Sequence, residues 1–301
     1  MPHTLLLVDD EPLVVQSVSL LFEKYNVLTA SSGEEALAYF ARGEKIDVVI
    51  SDQRMPKMTG VELLREVRRR NPSTVRILMT GYSDLDAVIE SVNTGEIFRY
   101  VNKPWQTDKL RETVALACHL SDKLKTAPPV TPSAAAFATG RDLLFVDTNR
   151  AHLEAFKGLL SGNYAVHLAT SASEAFQILK SQPISVLVSE VNLPDADGLS
   201  FLASISLEYP HVVSILLSDS KDAGIAIRLI NEVQVFRYLI KPFEREMLKS
   251  SIELAITQHH SFAAAPAANP KTYSNSAGNN SSSLEEALSR VRSTIDMRKT
   301  Y

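Results

Sequence analysis

The sequence predicts an α/β protein made of two doubly wound domains, each a five-stranded parallel sheet flanked by helices, followed by a short helix near its C-terminal end. Two observations carry this reading. The 301-residue chain repeats itself. Each copy alternates short apolar runs with longer amphipathic stretches, the pattern of a parallel sheet covered on both faces.

The repeat is legible in four segments. LLLVDDEP (5–12) returns as LLFVDTNR (143–150), and ISDQRMPKMTG (50–60) as VSEVNLPDADG (188–198). RILMTG (76–81) returns as SILLSD, and VNTGEIFRYVNKPW (92–105) as INEVQVFRYLIKPF. In all four the second copy lies 138 residues after the first. YNVLTA (from Tyr25) matches YAVHLA (from Tyr164) one residue further on, as an insertion in one loop and a deletion in the next would give.

In the first copy, TLLLVD, YNVLTA, DVVIS, VRILMT and IFRYVN read as strands, being short, apolar and rich in β-branched residues. The segments near 11–23, 33–42, 60–70, 84–94 and 107–122 carry helical periodicity. Leu85, Val88, Ile89 and Val92 form one such stripe. YNVLTA is more polar than DVVIS, which puts it nearer a sheet edge. The expected domains are 1–122 and 142–260, joined by a Pro- and Ala-rich linker, 123–141. Residues 261–283 have little to bury and are expected to be disordered. In 284–301, Ser283 and Glu286 form a capping-box pattern, and Leu284, Leu288, Val291 and Ile295 fall on one helical face. That helix is a candidate partner or homodimer contact.

Composition narrows the function classes. Hydrophobic residues make up 45% of the chain, charged residues 22%, and the net charge is −4, so there is no basic footprint for nucleic acid. Cys118 is the single cysteine, which excludes an intrachain disulfide and suits a reducing compartment. The N-terminal run lacks a basic n-region, and no apolar run approaches the ~20 residues of a membrane span. The expected location is cytoplasmic. The seven histidines show no metal-ligand spacing.

In a doubly wound sheet, function gathers at the carboxyl ends of the strands. Strand 1 ends in Asp9 and Asp10, strand 3 in Asp52, strand 4 in Thr80, and strand 5 is followed by Lys103. Clustered carboxylates raise each other's pKa unless a cation joins them, and a hard divalent ion such as Mg²⁺ takes oxygen ligands of this kind. A carboxylate so placed can attack phosphorus and carry the phosphoryl group.

These residues, in this order, resemble the receiver domain of bacterial response regulators, a flavodoxin-like fold, and they do so twice. The resemblance implies that Asp52 is the phosphoacceptor. It implies that Asp9, Asp10, Asp52 and the backbone carbonyl of Gln53 hold Mg²⁺, Asp9 through water. Thr80, Tyr100 and Lys103 would be the switch hydroxyl, switch aromatic and phosphate-pairing lysine. The donor would be a phosphohistidine on a sensor histidine kinase or histidine phosphotransfer protein. Output would pass to a protein effector through the face formed by the fourth helix, fifth strand and fifth helix. SDQRMPKMTG, TGYSD and FRYVNKPW further resemble receivers of regulators with cyclic-di-GMP phosphodiesterase or hydrogenase-control outputs.

The second copy departs from this pattern. Asp147 and Lys241 remain, with Ser218 and Tyr238 at the switch positions, but Asp10 is replaced by Thr148 and Asp52 by Glu190. The longer side chain carries its carboxylate on the order of 1.5 Å further out, which a geometry-demanding Mg²⁺ does not tolerate. Glu190 is then either a partial mimic of a phosphorylated aspartate or the residue of an inert site kept for docking. No pattern for a DNA-binding, cyclase, phosphodiesterase or kinase domain is legible, so the chain is not expected to be an enzyme. Two alternatives are a phosphate sink or shuttle competing for a sensor kinase, and an aspartyl-phosphate enzyme. The second is disfavoured, because Arg54 stands where such a phosphatase carries an acid–base aspartate.

Overall fold

A computed structural model describes residues 2–81, 97–126 and 141–264, and singly residues 89, 93, 266, 269 and 271. The chain forms two compact units. The first is built on β1 (Thr4–Val8), β2 (Asn26–Ala30), β3 (Val48–Asp52), β4 (Val75–Thr80) and β5 (Arg99–Asn102). All neighbours pair in parallel, in the order β2-β1-β3-β4-β5. Its described helices are α1 (Pro12–Ser19), α2 (Gly33–Ala41), α3 (Gly60–Arg70) and α4 (Thr107–Thr126).

The second unit repeats the plan with β6 (Asp142–Val146), β7 (Ala165–Ala169), β8 (Val186–Glu190), β9 (Val213–Ser218) and β10 (Arg237–Ile240), in the order β10-β9-β8-β6-β7. Its helices are α5 (Arg150–Leu160), α6 (Ala172–Ser181), α7 (Gly198–Glu208) and α9 (Arg245–Ala264), while α8 (Ala223–Arg228), between β9 and β10 in the chain, falls in the first compact unit.

Burial follows the sheet order. Every residue of β3 is buried, whereas β2, at the edge, buries only Ala30, in line with its polar sequence. The strand order places β1 and β3 side by side, with Val8 opposite Ser51, so the acidic residues after β1 and at the end of β3 share one edge of the sheet.

Gly60 opens α3 because nothing larger fits. A Cβ there would lie 2.2 Å from the Asp52 carbonyl oxygen and 2.8 Å from Leu78. Gly198 repeats the constraint against Val191 and Glu190. A Thr59–Glu62 capping box closes the same helix end in the first unit. These contacts fix the loop behind Asp52.

The structure differs from the sequence reading at element ends. The stretch 11–23 is not one helix: α1 stops at Ser19 and a 3-10 turn, Leu20–Phe22, follows. Ser17 and Ser19 hydroxyls bond back to the Leu13 and Val15 carbonyls, which weakens helical continuation, and the turn brings Phe22 into the core. Helix α4 runs to Thr126, inside the expected linker. Of the stretch 84–94, Ile89 is buried, while Leu85, Val88 and Val92 lie outside the described residues. So do linker residues 127–140 and the amphipathic stretch 284–301.

The expectation of disorder from residue 261 needs correction at two places. Helix α9 continues to Ala264, and Asn269 and Lys271 are buried. Composition counts apolar surface, and these side chains are instead held by polar bonds. Asn269 donates to the Pro210 carbonyl (2.8 Å) and Lys271 to that of Val212 (2.6 Å). Burial pushes the Lys271 amine down to about 7.

Asp195 and Asp197 read as solvated turn residues, yet both cap helices. Asp197 accepts from the Ser200 amide at the start of α7. Asp195 accepts from the Ala172 and Ser173 amides and the Ser173 hydroxyl at the start of α6. Burial pushes the Asp195 carboxyl up, but these donors outweigh it and the net pKa is lowered. A lowered folded pKa gives stability that is present above the unfolded value, about 3.9, and is lost as pH falls through the folded one. Asp195→Asn is therefore expected to cost the second unit about 1 kcal/mol at neutral pH. Urea denaturation should show the gap between wild type and variant narrowing as pH is lowered into the acid range.

Among the described residues, no helix is long and apolar enough to cross a membrane.

Candidate functional site

The first crevice lies where β1 and β3 end. Asp9 and Asp52 are both buried, Asp52 only 5% exposed, while Asp10 is exposed at the rim. Lys103 lies between the two buried carboxylates, its Nζ 2.8 Å from Asp9 Oδ2 and 2.5 Å from Asp52 Oδ1. Burial alone would lower the Lys103 pKa, but Asp52 and Asp9 outweigh it and hold the ammonium above its ordinary value. The far oxygens are also engaged. Asp9 Oδ1 accepts from the Glu11 amide (2.9 Å) and Asp52 Oδ2 from the Arg54 amide (2.6 Å).

The switch positions converge on one carbonyl. Thr80, at the end of β4, is buried, and its carbonyl accepts both the Lys103 amide (2.9 Å) and the Tyr100 hydroxyl (3.1 Å). Tyr100 is buried and bonds the Gly81 carbonyl as well. The backbone that carries Thr80 is therefore bonded both to the lysine that pairs with Asp52 and to Tyr100.

Gln53 has a role that sequence reasoning missed. Its carbonyl, expected to face a metal, accepts the Gly60 amide (3.1 Å), and its side-chain oxygen accepts the Val61 amide (3.1 Å). Gln53 thus staples the loop after Asp52 to the N-terminus of α3. The polar side chain beside Asp52 was the available signal, since Val191 stands at that position in the second copy.

Among the described residues, no three His, Cys, Asp or Glu side chains gather closely enough to hold a metal ready-made. The donor set nonetheless fits a hard divalent ion. Asp9, Asp10 and Asp52 offer only oxygen, and a carboxylate oxygen that accepts one bond keeps a further lone pair.

The second crevice has the same lysine bridge with different neighbours. Lys241 Nζ is 2.9 Å from Glu190 Oε1 and 3.4 Å from Asp147 Oδ2. Thr148 Oγ1 donates to Glu190 Oε2 at 3.4 Å. Asp147 Oδ1 accepts from the Asn149 amide, and its Oδ2 lies 3.1 Å from His152 Nδ1. All four carboxylate oxygens thus have partners. Burial pushes Asp147 up, but the Asn149 amide, Lys241 and His152 outweigh it and hold it below its ordinary value.

His152 was not singled out from sequence. It occupies the position of Val14 in the first copy, a swap that the 138-residue offset exposes. The switch residues of this copy point elsewhere. Ser218 exchanges hydrogen bonds with the backbone of Ser220, and the fully buried Tyr238 donates to the Ser220 carbonyl (2.7 Å).

A buried carboxylate, a lysine just after the last strand and a hydroxyl residue on the strand between them, set at one edge of a doubly wound sheet, recur in both copies. The chain belongs to the response regulator receiver domain family, whose model matches residues 5–115 and again 143–253. It is 41% identical over 138 residues to the hydrogenase transcriptional regulatory protein HoxA of Cupriavidus necator, covering 42% of this chain and 28% of that protein. It is 35% identical over 132 residues to the transcriptional regulatory protein GlrR of Escherichia coli, covering 43% and 28%. The signal receiver domain of an HD domain-containing protein from Pseudomonas fluorescens is 33% identical, with a TM-score of 0.40, over 41% of this chain and 99% of that one. The chain thus spans 28% of the length of these two curated relatives.

Proposed function

We infer that the first receiver takes a phosphoryl group on Asp52 and the second takes none. The observation that carries this is the donor set: Asp9, Asp10 and Asp52 stand with Lys103 at one sheet edge, whereas the other keeps Asp147 and Lys241 but has Thr148 and the longer Glu190, with His152 against Asp147 Oδ2. The donor is a phosphohistidine of a sensor histidine kinase or histidine phosphotransfer protein. An Asp52 carboxylate oxygen attacks phosphorus, the phosphorus–nitrogen bond breaks, and the departing imidazole keeps the electron pair and takes up a proton. Asp9, Asp10 and Asp52 would hold Mg²⁺, which supplies charge to offset that of the phosphoryl oxygens. Lys103 pairs with the phosphoryl group once Asp52 has become an acyl phosphate.

Thr80 turns its hydroxyl to the new phosphoryl oxygens, and its carbonyl transmits the movement to Tyr100. This biases the face around β5 toward a protein effector. HoxA and GlrR are transcriptional regulators by name, and an effector of that kind fits this reading. In the second receiver, Glu190 acts as an ion-pair partner rather than a phosphate mimic, because the Ser218 hydroxyl is held by Ser220 and not by Glu190. That receiver serves for docking.

Treating the full chain with a small-molecule phosphodonor and Mg²⁺ should add one phosphoryl group by intact mass, and chelating the metal should abolish the addition. Uptake of two groups, or uptake indifferent to chelation, contradicts this reading.

A further inference from the structure

Strand β5 is the last in the first sheet, so only one side of it has a strand neighbour. Tyr100 pairs with Leu78 of β4 on that side. An edge strand leaves backbone donors and acceptors open on its other side. At Tyr100 a single side chain closes them. The Tyr100 amide donates to Asn231 Oδ1 (2.9 Å), and the Tyr100 carbonyl accepts from Asn231 Nδ2 (2.9 Å). A carboxamide carries a donor and an acceptor side by side, so it satisfies both groups as a residue of a neighbouring strand would.

Asn231 comes from far along the chain. The first compact unit consists of Met1–Ala127 together with Asp222–Asn231, a segment that lies in sequence between β9 and β10. It comprises α8 and the start of a π-helical turn, Leu229–Val233. Asp222 caps α8 by accepting from the Ile225 amide (2.9 Å), and Ala226, Leu229 and Ile230 are buried. The Ile230 carbonyl lies 3.5 Å from Nη1 of Arg99. Arg99 is itself buried, bonded to the Phe98 carbonyl (3.0 Å), with its guanidinium 4.3 Å from the centre of the Phe98 ring. The segment thus meets β5 at a buried cation and at both backbone groups of the next residue.

The grip falls on the residue nearest the acceptor crevice in the bonding chain. The Tyr100 hydroxyl donates to the Thr80 carbonyl, which also accepts the Lys103 amide, and Lys103 pairs with Asp52. Two bonds from one planar amide fix both the position and the tilt of the β5 backbone. The segment therefore fits one arrangement of this strand better than any other, and a ligand with such a preference biases the strand toward it.

We propose that residues 222–231 are an internal clasp on the outer edge of β5, covering the face through which the first receiver would act, and that a phosphoryl group on Asp52 loosens it. In the resting chain this segment occupies the face, and an effector must displace it. The trigger rests on Asp52 being the acceptor, whereas the clasp itself does not.

Amide hydrogen exchange on the full chain, resolved by residue, tests both parts. In the resting wild type the Tyr100 amide should exchange slowly. Asn231→Ala should speed it by roughly ten-fold or more, while the amides of β3 keep their wild-type rates and show that the fold is intact. Fast exchange at Tyr100 in the wild type, or an unchanged rate in a folded variant, overturns the clasp. The second measurement needs no substitution in the segment. Phosphodonor and Mg²⁺ should speed exchange across 222–231 by about five-fold or more in the wild type and leave Asp52→Ala at its resting rate. Intact mass on the same samples separates the two ways of failing. Uptake without faster exchange refutes the release, as does faster exchange in Asp52→Ala. Absence of uptake removes the acceptor reading and the trigger together, and the clasp is then decided by the Tyr100 amide.

Discussion

Asp52→Ala is expected to end phosphoryl uptake by the chain, and Lys103→Met to slow it by roughly 100-fold. The two losses have different causes. Alanine removes the carboxylate proposed as acceptor, and the second crevice offers no substitute, because Thr148 replaces an oxygen donor there and Glu190 sets its carboxylate about one bond length further out. Methionine keeps the nucleophile but removes the cation that lies within 2.8 Å of both buried carboxylates.

The two variants should also separate by stability. Lys103→Met leaves the buried Asp9 and Asp52 facing each other without their cation, so the first unit loses stability at neutral pH. Asp52→Ala leaves Lys103 paired with Asp9 and should fold normally. Initial rates of uptake from a small phosphodonor, read beside urea denaturation, distinguish the two effects. An Asp52→Ala chain that still takes up phosphoryl groups would place the acceptor elsewhere.

Reversing the second site should create a new acceptor. The triple change Thr148→Asp, His152→Val and Glu190→Asp rebuilds the first crevice around Asp147 and Lys241. Aspartate at 190 withdraws the carboxylate by about one bond length, and in-line transfer is sensitive to displacement of that size. Aspartate at 148 supplies the missing oxygen donor, and valine at 152 frees Asp147 Oδ2 from the imidazole. The expected result is a second phosphoryl group per chain, still dependent on Mg²⁺. Glu190→Asp alone should not suffice, because Thr148 and His152 remain. A triple variant that folds, shown by an unchanged urea transition, yet takes up only one group would mean that something beyond these side chains closes the second site.

Much of the fold and of the first crevice is legible in the amino-acid sequence. The 138-residue offset aligns Asp52 with Glu190 and Asp10 with Thr148, and strand-end logic puts Asp9, Asp52, Thr80 and Lys103 on one edge, where the structure has them. The polarity of YNVLTA places β2 at the edge. What escapes the sequence is set by contacts that exist only once the chain is folded. His152 is an unremarkable helix residue until the fold brings it over Asp147. Asp195 reads as solvated because its partners, Ala172 and Ser173, lie on another helix. Gln53 staples α3 through a loop whose path depends on the Gly60 contact. Asn269 and Lys271 are buried by polar bonds that a count of apolar residues does not register.

The central claim is that one crevice takes a phosphoryl group and the other does not, and a map of phosphorylation sites on the intact chain tests it most directly. After saturating treatment with a phosphodonor and Mg²⁺, peptide mapping should place all of the label on the peptide containing Asp52 and none on the peptide containing Glu190. Label on the Glu190 peptide, or a labelled chain with Asp52 unmodified, would contradict the account.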